Sequence, residues 1–81
     1  KGNTVKRLTP DELVERMLDA DRRIPLLSAL RHGKSGDMYR VYAIALDEAT
    51  LEPVVIYAPE NRPDIRFARP LCEVLAKFVL L

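Results

Sequence analysis

The chain has 81 residues, of which 48% are apolar and 31% charged, and 13 Lys and Arg against 12 Asp and Glu leave a net charge of +1. This length fits one small domain spanning residues 1–81, and the composition excludes a disordered chain. The near balance of charge neither favours nor excludes nucleic acid as a partner, so only a local cluster of cations would favour it.

Cysteine content and hydropathy favour a cytoplasmic setting. The single cysteine, Cys72, cannot form a disulfide within the chain, which favours a reducing compartment. Because it lies in an apolar run beside the acidic Glu73, we expect it to be buried and unreactive. No apolar run approaches the roughly 18 residues that span a bilayer, so no membrane partner is expected.

The segment TPDELVERMLDADRRI predicts a helix over residues 9–23. Thr9 is suited to cap this helix and Pro10 to begin it, and Glu12, three residues after Thr9, completes a capping box. Pro25 ends the helix, because the residue before a proline is disfavoured in the helical region. Apolar residues recur at helical spacing and predict one broad buried face. They are Leu13, Val14, Met17, Leu18, Ala20 and Ile24.

Residues 26–69 predict a β-rich part with four runs of strand type. The runs are PLLSALRH, bounded by Pro25 and Gly33, MYRVYAIAL at 38–46, VVIY at 54–57 and IRFAR at 65–69. Apolar residues on both faces of the second run predict a central strand. A helix or turn is predicted at 70–81. We therefore predict an α+β domain whose helix packs on a small curved antiparallel sheet of about four strands or an SH3-like barrel, with a short C-terminal helix.

The stretch RHGKSGDMYRV, residues 31–41, contains a GKS triplet like the end of a Walker A phosphate-binding loop. That loop requires a glycine five residues before Gly33, where this chain has Ser28, and a helix after the triplet, where we predict a strand. Gly36 and Asp37 instead suit a tight turn between two strands. The stretch is therefore predicted to be a hairpin turn.

Metal binding and catalysis find little support in the sequence. His32 is the only histidine and Cys72 the only cysteine, so a zinc site of the usual kind lacks ligands, and no metal or cofactor is predicted. A histidine can act as a general acid or base, with Asp37 or Glu52 to orient it, but no nucleophile pattern accompanies it. A structural or ligand-contacting role for His32 is therefore favoured over a catalytic one.

Cations and aromatic residues predict a candidate ligand surface on the first hairpin and the strands after it. The candidates are Arg31, His32, Lys34, Tyr39, Tyr57, Arg66 and Arg69. Arginine binds anions bidentately and aromatic rings stack on bases, so nucleic acid, another phosphate-bearing ligand or an acidic peptide would suit them. The alternative is a solvated surface whose cations pair with nearby carboxylates.

The motifs RH, K.GD.YRV, VVIY and RPL resemble a small bacterial family known as domain of unknown function 1653. The matching residues are Arg31, His32, Lys34, Gly36, Tyr39, Val41, Ile44, Ala45, Thr50, Glu52, Val54, Val55, Tyr57, Arg69, Pro70 and Leu71. Phe67 stands where the family usually has tryptophan, Leu30 replaces an aromatic residue and Ser35 is inserted. The resemblance covers roughly residues 30–75 and implies a small β-rich, SH3-like domain without an assigned activity.

Together these features predict a non-catalytic binding or accessory module. Two alternatives stay open. One is a structural domain that self-associates through its apolar C-terminal run, and the other is a small hydrolase that uses His32. The run consists of Phe78, Val79, Leu80 and Leu81.

Overall fold

The structure, a computed structural model, describes residues 7–81, which form two helices and five strands. In chain order these are α1 (Pro10–Arg23), β1 (Ala29–His32), β2 (Met38–Leu46), β3 (Pro53–Pro59), β4 (Phe67–Pro70), α2 (Leu71–Lys77) and β5 (Phe78–Leu80). The predicted α+β class is confirmed. The sheet has five strands rather than about four, because the segment predicted as a C-terminal helix or turn ends in β5.

The strands form one antiparallel sheet in the order β4-β3-β2-β1-β5. β2 is central, as its two apolar faces predict. The pairing of β2 with β3 shifts by one residue between Val41 and Ala43, and such a bulge bends the strand and increases its twist. Within residues 7–81 β4 and β5 each pair with one neighbour, so the sheet is open at both edges.

The core lies between one face of this sheet and the two helices. The sheet contributes the fully buried side chains Leu30, Val41 and Val55. The helices contribute Ala20, Ile24, Leu71 and Val74. Burial of one such large aliphatic side chain stabilises a fold by about 1.5–3 kcal/mol, so the loss of any one of them is felt by a domain this small.

The capping box predicted for α1 is confirmed. Thr9 Oγ1 accepts a hydrogen bond from the Glu12 N–H at 3.2 Å, and Glu12 Oε1 accepts one from the Thr9 N–H at 2.8 Å. These two bonds satisfy N–H groups that the first turn of a helix leaves without a partner. The helix ends at Arg23, as predicted.

The buried face of α1 is narrower than its apolar residues predict. Ala20 and Ile24 are buried, whereas Val14, Met17 and Leu18 are exposed. Arg16 lies on the side of α1 that faces the rest of the domain. Its Nη1 donates to the carbonyl of Leu51, in the turn between β2 and β3, at 2.9 Å. On the other flank of the helix, Val14 and Leu18 stay about half exposed.

A tight turn joins α1 to β1 and places a leucine in a strained backbone conformation. The Ser28 N–H donates to the Pro25 carbonyl at 3.1 Å, and the Leu27 N–H donates to the Val41 carbonyl at 2.8 Å. Leu27 has φ 65°, a left-handed conformation that costs a residue with a Cβ about 1–2 kcal/mol. Its side chain is exposed, so little packing offsets that cost.

Replacement of Leu27 by glycine is therefore expected to give a more stable domain than replacement by alanine. Both variants remove the exposed side chain, but only glycine adopts a positive φ without steric strain. We expect the free energy of unfolding of Leu27→Gly, measured by urea denaturation, to be higher than that of Leu27→Ala by about 0.5–1 kcal/mol. This difference allows for the greater chain entropy of glycine in the unfolded state. Equal stability, or a more stable alanine variant, would contradict the strain at this turn.

Candidate binding site

Five ring side chains from five strands lie together, and we call them the aromatic cluster: His32, Tyr39, Tyr57, Phe67 and Phe78. The Phe78 ring is central, with its centroid 5.0 Å from that of His32, 5.5 Å from Tyr39 and 5.4 Å from Tyr57, each in an edge arrangement. The centroids of Tyr57 and Phe67 are 5.8 Å apart. Edge-to-face ring pairs contribute about 0.5–1.5 kcal/mol beyond their area, so the cluster also stabilises the fold.

Strand register explains why these rings meet. His32 of β1 is the cross-strand partner of Phe78 in β5, and Tyr57 of β3 is the partner of Phe67 in β4. Residues directly opposite each other in antiparallel strands project from the same face. The two pairs therefore bring rings from distant parts of the chain onto one side of the sheet.

A cleft of about 420 Å³ opens at one end of the cluster, and we call it the aromatic cleft. Its lining consists of Asp37, Met38, Tyr39, Pro59, Glu60, Asn61 and Phe67. Phe67 is 45% exposed, although its ring is large and apolar. Exposed apolar surface that adjoins polar side chains is typical of binding sites.

The two carboxylates of the aromatic cleft differ in how far their charge is offset. Glu60 Oε2 accepts hydrogen bonds from Arg40 Nη2 at 2.6 Å and Nε at 3.1 Å. Arg40 also donates to the Leu27 carbonyl through Nη1, at 2.7 Å. The Asp37 carboxylate forms no ion pair within the described residues 7–81. The cleft therefore carries negative charge that Asp37 supplies and that no cation of this part of the chain pairs with.

Arg69 is engaged within the domain. Its guanidinium lies 5.9 Å from the centroid of the Phe78 ring and 4.0 Å from the Glu73 carboxylate. Burial raises the pKa of the Tyr57 hydroxyl above its ordinary value, while the positive charge and hydrogen bond of Arg69 lower this pKa. Because of these contacts, Arg69 stabilises the aromatic cluster and is less available to bind a ligand.

The stretch at residues 31–41 forms the predicted hairpin. The Gly36 N–H donates to the His32 carbonyl at 2.8 Å, and Gly36 has φ 79°, which glycine accepts without strain. The Ser35 N–H lies 3.2 Å from His32 Nδ1 and its Oγ is also 3.2 Å from that nitrogen. The same Oγ accepts from the Asp37 N–H at 3.3 Å, so the Ser35 contacts close the turn.

The structure brings only some of the predicted ligand residues together. His32, Tyr39, Tyr57 and Arg69 meet around Phe78. Lys34 lies at the hairpin turn, beside His32. Phe67, Phe78 and Asp37 belong to the cluster and cleft although they were not among the candidates, and only the strand register could have indicated the two phenylalanines.

Two predicted candidates do not join this site, so the seven candidates do not share one surface. Arg31 alternates with the buried Leu30 along β1 and therefore projects from the opposite face. Arg66 lies 4.2 Å from the centroid of the Tyr42 ring and donates to the Pro63 carbonyl at 2.9 Å.

Other cations pair with carboxylates, as the alternative of a solvated surface predicts. Arg62 hydrogen-bonds Asp64 at 2.7 Å, which holds the pKa of that carboxyl below its usual value. Cys72 is exposed rather than buried, because α2 directs Leu71 and Val74 to the core and leaves Cys72 on its outer side. No group of three or more potential metal ligands lies together in the described part of the chain.

Comparison with known proteins gave no match: no family model fits the sequence, and no curated protein or solved structure is significantly similar to the chain. The resemblance to domain of unknown function 1653 therefore stays a prediction. Neither helix formed by residues 7–81 has the length and apolar character needed to cross a membrane.

Proposed function

We propose that this domain is a non-catalytic binding module whose aromatic cleft takes a peptide segment bearing a basic side chain. The observation that carries the proposal is the exposed ring of Phe67 in a cleft shared with the Asp37 carboxylate, which has no ion-pair partner among residues 7–81. An aromatic face and a carboxylate both attract a cation. Tyr39 and Pro59 add rigid contact surface that loses little entropy on binding.

The chemistry of the lining favours binding over catalysis. The seven residues that line the aromatic cleft include no histidine, cysteine or serine, the side chains that most often supply a nucleophile with its base. His32, on which a hydrolase would depend, does not line the cleft, and its Nδ1 accepts the Ser35 N–H within its own turn. These features support the module over the small hydrolase.

The sign of the charge favours a cationic ligand in the cleft. A phosphate or an acidic peptide placed there would face the Asp37 carboxylate, which has no ion-pair partner among residues 7–81, and like charges at short range repel. Nucleic acid would need several free cations along one surface, but Arg31 and Arg66 lie apart from the cleft. The cleft therefore supports a basic peptide in preference to the anionic ligands predicted from the cations alone.

Titration with short blocked peptides tests this proposal. We expect a peptide with a central arginine to shift the backbone amide resonances of residues 37–39, 60–61 and 67, and a matched peptide with glutamate to cause no saturable shift. Phe67→Ala is expected to weaken binding about tenfold, since exposed aromatic anchors dominate binding surfaces of this kind. Asp37→Asn should weaken it by a smaller factor, because the ring contacts remain.

Val79→Ala is the matched control, because Val79 is as exposed as Phe67 but lies in β5, away from the cleft. It should leave the affinity unchanged. Equal binding of the arginine and glutamate peptides, or an unchanged affinity in the Phe67 variant, would overturn the proposal. A far-ultraviolet spectrum of each variant checks that the fold is retained.

A further inference from the structure

A second pocket lies between the β1–β2 turn and the C-terminal end of α2, and we call it the turn pocket. It has a volume of about 310 Å³ and is lined by His32, Gly33, Lys34, Ala76 and Lys77. None of these residues lines the aromatic cleft. The turn pocket is therefore a separate site, and an inference about it goes beyond the proposed peptide binding.

Gly33 holds the two walls of the turn pocket together. Its N–H donates to the Lys77 carbonyl at 2.9 Å, which fixes the last residue of α2 against the hairpin. A Cβ at this position would lie 3.3 Å from the same carbonyl oxygen, so glycine permits this close approach. Lys34 and Lys77, which are far apart in sequence, thus line one pocket through a backbone contact.

Lys34 and Lys77 make the charged lining of the turn pocket cationic. Neither Lys34 nor Lys77 forms an ion pair within residues 7–81, and no carboxylate lines the pocket. His32 Nδ1 accepts a hydrogen bond from the Ser35 N–H, which leaves Nε2 as the ring nitrogen that can donate. Two lysines and a histidine therefore line one small space.

From this arrangement we infer that the turn pocket binds a phosphate group of a small molecule, either free phosphate or a phosphomonoester. Two ammonium groups match the nearly two negative charges that a phosphomonoester carries at neutral pH. A phosphodiester in a nucleic-acid backbone carries only one negative charge per group. We therefore expect it to bind two lysines more weakly than a phosphomonoester does. The GKS triplet thus contributes Gly33 and Lys34 to an anion site without forming a Walker A loop.

Titration of the whole chain with inorganic phosphate at constant ionic strength tests the inference. We expect saturable shifts of the amide resonances of residues 32–35 and 76–77, and the same shifts with glycerol phosphate. The double variant Lys34→Gln, Lys77→Gln should weaken phosphate binding at least about tenfold, because it removes both ammonium groups. The matched control is Arg31→Gln with Arg66→Gln, which lowers the net charge equally at two exposed arginines outside the pocket.

Three results would overturn the inference. These are shifts that do not saturate, equal weakening in both double variants, and tighter binding of an oligonucleotide lacking a terminal phosphate than of inorganic phosphate at these residues. The last result would assign the pocket to a nucleic-acid backbone instead. Phosphate binding that survives Phe67→Ala would show that the turn pocket acts independently of the aromatic cleft, so each site can fail without the other.

Discussion

Replacement of Phe78 by alanine is expected to lower the free energy of unfolding by about 3–5 kcal/mol. Phe78 is 8% exposed, and its ring contacts those of His32, Tyr39 and Tyr57. The substitution removes these contacts and leaves a cavity between β5 and the rest of the sheet. Because a domain of this size has on the order of 5–10 kcal/mol of stability, the variant should be partly unfolded without denaturant. Urea denaturation followed by circular dichroism measures the loss.

The adjacent residue provides the control. Val79 lies next to Phe78 in β5 but projects from the other face and is 44% exposed. Val79→Ala should change the free energy of unfolding by no more than about 0.5 kcal/mol. Equal losses in the two variants would contradict the placement of Phe78 in the core and of Val79 at the surface.

The same pair of residues bears on self-association. Phe78 is buried in the core of its own domain, so its ring is not available for the predicted interface. That interface consists of Phe78, Val79, Leu80 and Leu81. The three remaining residues are exposed in or just after an edge strand, where backbone groups are open to pairing. Self-association through them stays a prediction, and sedimentation at several concentrations tests it, since a strict monomer would remove it.

Most of the fold follows from local features of the sequence. The start of α1 depends on Thr9 and Glu12, which are three residues apart, and its end depends on Pro25. The hairpin turn depends on Gly36, whose positive φ few other residues tolerate. β2 could be placed at the centre of the sheet because both of its faces are apolar. Each of these signals lies within one short window of the chain.

The site depends instead on contacts between distant residues. His32 and Phe78 become neighbours only because β5 pairs with β1, and the sequence predicts a helix or turn where β5 forms. The alternation of side chains along β1 separates Arg31 from His32, although the two are adjacent in sequence. Counting the cations that are close in sequence therefore overestimates how many share one surface. The count does not show the face of the sheet from which each side chain projects.

The hairpin turn relates the two proposed sites to each other. Asp37, just after the turn, lines the aromatic cleft, and Lys34, in the turn itself, lines the turn pocket. The turn therefore separates negative charge on one side from positive charge on the other. A net charge of +1 conceals this arrangement, because the total contains no information about where each charge lies.

Replacement of Ile24 by alanine is expected to lower the free energy of unfolding by about 2–4 kcal/mol. Ile24 is 1% exposed and lies at the end of α1, where its N–H donates to the Ala20 carbonyl at 2.9 Å. Its side chain belongs to the same core cluster as Val41 and Val55. The substitution would leave a cavity where the helix meets the sheet. Urea denaturation should show a lower midpoint with an unchanged slope if the native fold is retained.

Leu18→Ala tests the same helix on its other flank. Leu18 is 47% exposed, and alanine has the higher helix propensity. We therefore expect the free energy of unfolding to change by no more than about 1 kcal/mol. The apolar pattern alone predicts the opposite, because it assigns Leu18 and Ile24 to one broad buried face. A loss at Leu18 as large as that at Ile24 would show that α1 packs through its whole apolar face.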